Sequence, residues 1–329
     1  MTVLVAGGAG FIGSHLCEKL LSKGYKVFSL DNLITGEKNN LDNLISNPSF
    51  EFIEKDITKD FADVKDKLKD VEFIFHMASP ASPNKKSARS YMSHPIETLL
   101  VNSLGTYNLL RLAQDLKAKF LFASSSEVYG DPSVSPQRED YFGNVNPNGV
   151  RSVYDEGKRF GEAITMGFVR KYDIDARIIR IFNTYGPKMQ KDDGRVVSNF
   201  INQALTGMPI TVYGEGKQTR SLCFISDMIE GIAAAMFTNG TKGEVINLGN
   251  PNEKTILEIA EMIKEMTGSS SQISFEALGQ DDPKKRNPDI SKAKSLLSFN
   301  PSVDLRDGLK KTIEYFSSQE QSARGGKTL

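Results

Sequence analysis

Gly7-Gly8-Ala9-Gly10-Phe11-Ile12-Gly13 is the stretch on which the fold reading turns. It follows a short apolar run, Thr2 to Ala6, and opens a segment from Phe11 to Lys23 in which Ile12, Leu16, Leu20 and Leu21 recur at helical spacing. Strand, glycine-rich turn and helix in that order is the context in which such a string signals a dinucleotide site. The glycines allow the tight turn and let the backbone approach a pyrophosphate, which then sits on the amides of the helix N-terminus. Alone, the string also reads as a plain tight turn. Asp31 changes that balance. It follows a second strand, Lys26 to Leu30, at roughly the ~20-residue distance where a carboxylate accepts from the adenosine ribose hydroxyls and repels a 2′-phosphate. Gly7, Gly10, Phe11, Ile12, Gly13, Asp31 and Asn32 are therefore candidate coenzyme contacts, and NAD is preferred to NADP. Asp56-Ile57, after the third strand, is a candidate adenine contact, with a solvated turn carboxylate as the alternative.

The same alternation continues outward. Phe50 to Ile53, Glu72 to Met77, Lys119 to Ala123 and Ala176 to Ile181 read as further strands, apolar enough to be covered on both faces. Two long helices are predicted. Ile96 to Leu116 carries Leu99, Leu100, Leu104, Leu109, Leu110 and Leu112 on a broad stripe, and Tyr154 to Tyr172 interleaves Gly157, Gly161 and Ala163 with charged residues. After about Phe182 glycine- and proline-containing turns become frequent, which suggests a substrate lobe. Within it, helices are predicted over Asp227 to Phe237, capped by Ser226 or Asp227, and over Thr255 to Met266. The expected fold is α/β: a Rossmann-type doubly wound parallel sheet with a smaller C-terminal α/β substrate lobe. Residues 1–181 with about 222–248 form the expected NAD-binding domain, 182–221 with 249–316 the lobe, and 317–329 a flexible tail.

Composition narrows the function class. The 329 residues contain 39% apolar and 25% charged residues, as ordinary soluble globular proteins do, and 41 basic residues balance 41 acidic ones. That balance gives no electrostatic reason to expect nucleic acid or an anionic membrane as partner. No apolar run approaches the ~18 residues of a membrane span. The first strand begins almost at Met1, so no leader is expected and the expected location is cytoplasmic. Cys17 and Cys223 read as buried free thiols rather than a disulfide. His15, His76 and His94 have no ligand spacing, and no metal site is expected.

Tyr154 and Lys158 lie at i and i+4, one face of a helix. A catalytic tyrosinate needs that arrangement. A phenol of reference pKa ~10 brought near neutrality requires about 4 kcal/mol of stabilisation of its anion, at ~1.36 kcal/mol per unit. Tyr213 and Lys217 repeat the spacing, but Gly214-Glu215-Gly216 between them cannot hold a helical face. Ser125 ends a strand where open α/β sheets bind ligands and can hydrogen-bond a reacting oxygen; ordinary loop chemistry is the alternative for Ser124 to Ser126.

Taken together, these elements resemble the extended short-chain dehydrogenases/reductases that act on nucleotide sugars. ASPASP (Ala78–Pro83), SSEVYGDP (Ser125–Pro132), GNVNP (Gly143–Pro147), YDEGKR (Tyr154–Arg159), RIFNTYGP (Arg180–Pro187), DGRVVSNF (Asp193–Phe200), YGEGKQTRS (Tyr213–Ser221) and DDPKKRNPDI (Asp281–Ile290) resemble the UDP-glucuronate decarboxylases, or UDP-xylose synthases. The resemblance spans Met1 to about Tyr315. It implies oxidation at C4 of the glucuronate with NAD, loss of carbon dioxide from the β-keto acid so formed, and re-reduction to UDP-xylose. By similarity Tyr154 is the base, Lys158 tunes it, Ser125 steadies the C4 oxygen, and Glu127 orients the sugar or a water. Arg286 matches an arginine assigned both to the UDP phosphates and to decarboxylation or protonation, and Arg220 matches a phosphate ligand. Asn183 and Asn199 match substrate contacts and Tyr213 a wall for the uracil. Pro80, Tyr91, Val197 and Gln218, which lie within or beside the matching strings, complete the implied substrate set.

Neighbouring families sharpen the reading. Related 4,6-dehydratases carry an aspartate where Ser126 stands, to protonate a departing hydroxyl; related 4-epimerases usually have a small hydroxyl residue in place of Glu127. Those two reactions, release of a UDP-4-keto-pentose, and a non-catalytic NAD-binding regulator are the alternatives. Regulators usually lose the tyrosine or lysine. Similarity also implies a homodimer through the two long helices. Three features depart from the family pattern: Asn84 to Ser90 is about five residues longer than usual and reads as a loop rather than a lid, Phe142 replaces a common tryptophan, and Asn148 an apolar residue.

Overall fold

Short runs rich in apolar residues are covered on both faces in a parallel sheet flanked by helices, and seven strands pair in one such sheet. The computed structural model describes residues 1–277 and 285–325. Its main sheet is parallel, in the order Val245–Leu248, Ala176–Ile181, Lys119–Ser125, Phe73–His76, Thr2–Ala6, Lys26–Asp31, Phe50–Glu54. Six of these strands were legible in the sequence; Val245–Leu248 was missed because Val-Ile-Asn-Leu is too short to show a period. Side chains alternate across the sheet. Val3, Val5, Val27, Phe75 and Leu121 join the core cluster that contains Leu16, Leu20, Met228 and Ile232, whereas Leu4, Ala6, Phe28, Ile74 and Phe122 join the one containing Leu109, Leu110 and Phe168. Strand order reverses between Thr2–Ala6 and Phe73–His76, and the crevice beyond the strand ends there is where open α/β sheets take ligands.

The helix expected over Ile96 to Leu116 is not continuous. It runs as Pro95–Leu100, a wider π-type turn at Val101–Gly105, and Thr106–Leu116. Such turns occur mostly as single-turn bulges inside α-helices, frequently at functional sites. Here the turn begins at Val101, and buried Asn102 donates to Ser79 Oγ at 2.9 Å and to the Thr98 carbonyl at 2.8 Å. The predicted leucine stripe also divides: Leu109, Leu110 and Leu112 are buried, while Leu99, Leu100 and Leu104 are exposed. The helix Ser152–Tyr172 packs closely on the sheet because Gly161 lacks a side chain. A Cβ there would stand 2.2 Å from the Phe122 ring.

In the C-terminal part, helices Val196–Thr206, Ile256–Thr267 and Leu305–Gly325 surround two short strand pairs, Ile210–Tyr213 with Ile273–Glu276 and Thr219–Ser221 with Glu253–Thr255. The helix expected over Thr255 to Met266 forms as Ile256–Thr267, and Thr255 caps it through a reciprocal box with Glu258. The other cap differs from expectation. That helix starts at Ile225 without a side-chain cap, and the Asp227 carboxylate instead accepts from the amides of Ser302 and Val303, both at 2.9 Å. The last helix continues through part of the expected tail to Gly325, since nothing between Phe316 and Gly325 breaks a helix. Among the described residues no helix is long and apolar enough to cross a membrane.

Candidate active site

Backbone geometry builds one wall of the site. Gly7 has φ +83°, and a Cβ on it would lie 2.6 Å from the backbone of Ala78. On Gly13 a Cβ would lie 2.0 Å from the Gly7 carbonyl oxygen. Only glycines close this turn. The helix Phe11–Ser22 begins without a side-chain cap and without an acidic residue in its first turn, so its leading amides are available to an anion. Asp31 is fixed beside it, accepting from the amides of Ala9 at 3.0 Å and Leu33 at 2.9 Å. Burial pushes its carboxyl up, and the amides of Leu33 and Ala9 pull it back. Cradle, bare helix start and a carboxylate fixed at the end of the second strand together fit a dinucleotide. Gly13→Ala is expected to weaken NADH binding at least about a hundredfold in a fluorescence titration, because the added methyl must displace the turn itself; affinity within a few-fold of the parent would contradict this.

One cavity of about 330 Å³, within the usual range for ligand sites, brings together most of the expected residues. Gly7, Gly10, Phe11, Ile12, Gly13, Tyr91, Ser125, Glu127, Tyr154, Lys158, Asn183, Val197, Asn199, Tyr213, Gln218, Arg220 and Arg286 line it. Asp31, Asn32, Asp56, Ile57 and Pro80 do not. Asp56 accepts from the amide and hydroxyl of Thr58, both at 2.8 Å, the turn-carboxylate arrangement that was the alternative reading; Ile57 packs in the core. Asn32 accepts from the Ile34 amide. Lys217 is exposed and pairs with Glu215, so the second Tyr–Lys spacing forms no site.

At the centre, Tyr154 is buried and stacks on Tyr91, ring centroids 5.1 Å apart and planes at 14°. Burial pushes its phenol up to about 12, against the Arg195 guanidinium and a hydrogen bond with Ser125, which pull it down. Lys158 donates to the Ala123 carbonyl at 2.8 Å, and its ammonium lies 5.7 Å from the Tyr154 ring centre; burial pushes it down to about 7, with Glu162 opposing. Glu127 follows Ser125 by two residues on a short 3₁₀ turn, with its amide donating to Ser125 Oγ. Its carboxylate accepts from Arg151 at 2.7 Å and Arg286 at 3.2 Å through one oxygen. Burial works against the charge, but the two guanidinium groups outweigh it and hold the carboxyl well below its usual range. Arg286, 2% exposed, also donates to the Gly130 carbonyl, and so stands at the Glu127 end of the cavity.

Sequence reasoning missed Arg151 and Arg195. Arg151, Tyr154 and Lys158 follow helical spacing on one face, a signal that was present. Arg195 lies in a quoted family string and lines the cavity, donating to the Ala81 carbonyl at 2.9 Å. Asp155 was missed too. Its Oδ1 is buried with no hydrogen-bond partner among the described residues, and burial together with the Glu127 charge pushes its carboxyl well above the usual range, against Arg151 and Arg286. The folded chain therefore keeps a proton that the unfolded chain releases. The associated stability is whole below the carboxyl's ordinary value of 3.8 and is lost as pH rises through the raised folded value. Asp155→Asn, which imitates the neutral acid, is expected to gain on the parent in melting temperature between pH 5 and pH 9 by a few degrees, where about 1 kcal/mol corresponds to roughly 2–4 °C. An offset identical at both pH values would contradict that.

The histidines hold structure. His76 lies 3.0 Å from the Thr106 hydroxyl and His15 and His94 meet backbone carbonyls. Among the described residues no group of three or more His, Cys, Asp or Glu could hold a metal ion.

Comparison with known proteins matches residues 3–249 to the model of the NAD dependent epimerase/dehydratase family. The chain belongs to that family. It is 48% identical over 317 residues to UDP-glucuronic acid decarboxylase 1 of Xenopus tropicalis, covering 96% of this chain and 72% of that protein. It is 48% identical over 329 residues to UDP-glucuronic acid decarboxylase 1 of Arabidopsis thaliana, covering 100% and 73%. The crystal structure of UDP-glucuronic acid 4-epimerase from Bacillus cereus, in complex with UDP-glucuronic acid and NAD, superposes with a TM-score of 0.86 at 32% identity, covering 97% of this chain and 100% of that one.

Proposed function

We propose that this member of the family is an NAD-dependent UDP-glucuronate decarboxylase that yields UDP-xylose. Relatives at 48% identity over nearly the whole chain bear that activity in their names. The observation that carries the reading within the site is Glu127, kept anionic between Arg151 and Arg286 two residues from Ser125, while the position between them is the hydroxyl of Ser126. A dehydration needs an acid there to expel water; loss of carbon dioxide needs none. An epimerisation that only turns a ketone has no use for a pinned carboxylate.

Bound NAD supplies a hydride acceptor and donor at C4; the rest falls to the chain. Tyr154 takes the C4 hydroxyl proton, and Ser125 donates a hydrogen bond to the same oxygen. Since burial holds the phenol high, the base role requires cationic help, for which Lys158 and Arg195 are placed. The 4-ketone accepts the electrons left when the C5 carboxylate departs, and the enolate oxygen is steadied by Tyr154 and Ser125. Glu127, being anionic, cannot itself protonate C5, which takes its proton from a water that Glu127 orients with Arg286 beside it; when the hydride returns to C4, Tyr154 gives its proton back to the C4 oxygen. Arg220, Asn183, Asn199, Tyr213, Gln218 and Val197 form the nucleotide end, in a lobe of residues 182–221 with 249–316. Exposed Ile96, Leu99, Leu100, Leu104 and Tyr107 on the interrupted helix 95–116 and Phe160 on the helix Ser152–Tyr172 suit a homodimer, and a cytoplasmic location completes the reading.

Incubation with UDP-glucuronate and NAD+, following nucleotide-sugar mass and NADH absorbance together, tests it. Decarboxylation without lasting absorbance is expected. Persistent absorbance would signal release of UDP-4-keto-pentose instead, and an unchanged carbon count would refute decarboxylation.

A further inference from the structure

The long segment Asn84 to Ser90 folds tightly against the site. Ser87 and Ser90 are buried, and the Ser87 carbonyl accepts from the Ser90 amide at 3.2 Å and the Ser93 hydroxyl at 2.8 Å. On one side it is tied to residues 192–194. Ser87 Oγ donates to the Asp192 carboxylate at 2.5 Å, Asn84 Nδ2 donates to the Asp192 carbonyl at 2.8 Å, and a Cβ on Gly194 would stand 2.4 Å from that of Asn84. On the other side Arg89 forms an ion pair with Glu37. Glu37 belongs to the glycine-rich turn's own surroundings: its amide donates to the Ala9 carbonyl at 3.0 Å, and Asn40 Nδ2 donates to the same oxygen at 2.9 Å. Arg89 lines the cavity along with Gly10, Phe11 and Thr35.

We propose that Arg89 is a coenzyme-binding residue whose guanidinium contacts the pyrophosphate of the dinucleotide, with the 84–90 loop as a clasp that slows its departure. The proposal shares with the functional reading only the dinucleotide site. A lone Glu37 carboxylate beside the turn repels a diphosphate; Arg89 cancels that charge, and its planar fork can serve a carboxylate and a phosphate oxygen at once. Lys85 and Lys86 are exposed and leave Arg89 as the cation that this loop turns to the cavity. Slower departure of reduced coenzyme keeps it beside the ketone until the sugar is re-reduced, favouring the complete cycle.

The test measures NADH release by stopped-flow fluorescence, chasing with excess NAD+, for the parent, Arg89→Ala, Glu37→Ala and the double variant. Both single substitutions break the same ion pair. A staple that only holds the loop therefore loses NADH faster in both, whereas a phosphate contact opposes them. Expected are about tenfold faster release for Arg89→Ala, the loss of one charge-assisted contact, unchanged or slower release for Glu37→Ala, and an intermediate rate for the double variant. Equal acceleration in both single variants, or none in Arg89→Ala, overturns the proposal. No nucleotide sugar is present, so either result leaves the decarboxylase reading to stand or fall on its own assay.

Discussion

Tyr154→Phe is expected to lower the rate of carbon dioxide release about a thousandfold, within the range for loss of a positioned general base, while the affinity for UDP-glucuronate stays within a few-fold. The asymmetry follows from the geometry. Phenylalanine keeps the stack on Tyr91 and the buried volume, so the cavity and its nucleotide end are preserved. What disappears is the oxygen that hydrogen-bonds with Ser125 and accepts the C4 proton. Because a fall in rate with binding intact identifies an interaction made at the chemical step, calorimetric binding and single-turnover decarboxylation belong in one experiment. A variant retaining more than about a tenth of the parent rate would remove Tyr154 from the base role.

Glu127→Gln is expected to damage stability and chemistry together. The amide conserves shape but removes the charge that compensates Arg151 and Arg286, both largely buried. Breaking a buried ion pair by removing one partner costs about 3–5 kcal/mol, since the remaining charges are left uncompensated. Glu127→Ala should lose a similar amount, because charge rather than volume is what both variants lack. Urea unfolding measures this, and a denaturation midpoint unchanged in Glu127→Gln would show that the two guanidinium groups are satisfied without it. Decarboxylation in either variant is expected to fall at least about a hundredfold. A second substitution, Arg151→Met in the Glu127→Gln background, should return part of the stability but none of the rate, separating the electrostatic role from the positioning one.

The sheet was legible because strands buried on both faces must be largely apolar, and the glycine turn because a side chain on Gly7 would meet the backbone of Ala78 and one on Gly13 the carbonyl of Gly7. Tyr154 and Lys158 were legible from spacing and Ser125 from its place at the end of a strand, with resemblance supplying Glu127 and Arg286. The pairing of Glu127 with Arg151 was not. Arg151 and Glu127 lie 24 positions apart, and the approach depends on how the helix Ser152–Tyr172 seats against the end of strand Lys119–Ser125. The π-type turn at Val101–Gly105 escaped notice because its leucines satisfy an unbroken helical pattern; only the demand of Asn102 for Ser79 and Thr98 reveals it. Asp227 likewise reads as a cap in sequence, and only the chain's return at Ser302 and Val303 shows another use. The loop at 84–90 was read as decoration because length alone says nothing about where Ser87 and Arg89 attach.

The most direct measurement follows UDP-glucuronate labelled with carbon-13 at C6 and deuterium at C4. The account predicts labelled carbon dioxide, a slowed reaction from the C4 label, and deuterium back at C4 of the pentose. Carbon-13 remaining in the nucleotide sugar would contradict it, as would carbon dioxide release at a rate indifferent to the C4 label with that deuterium never displaced.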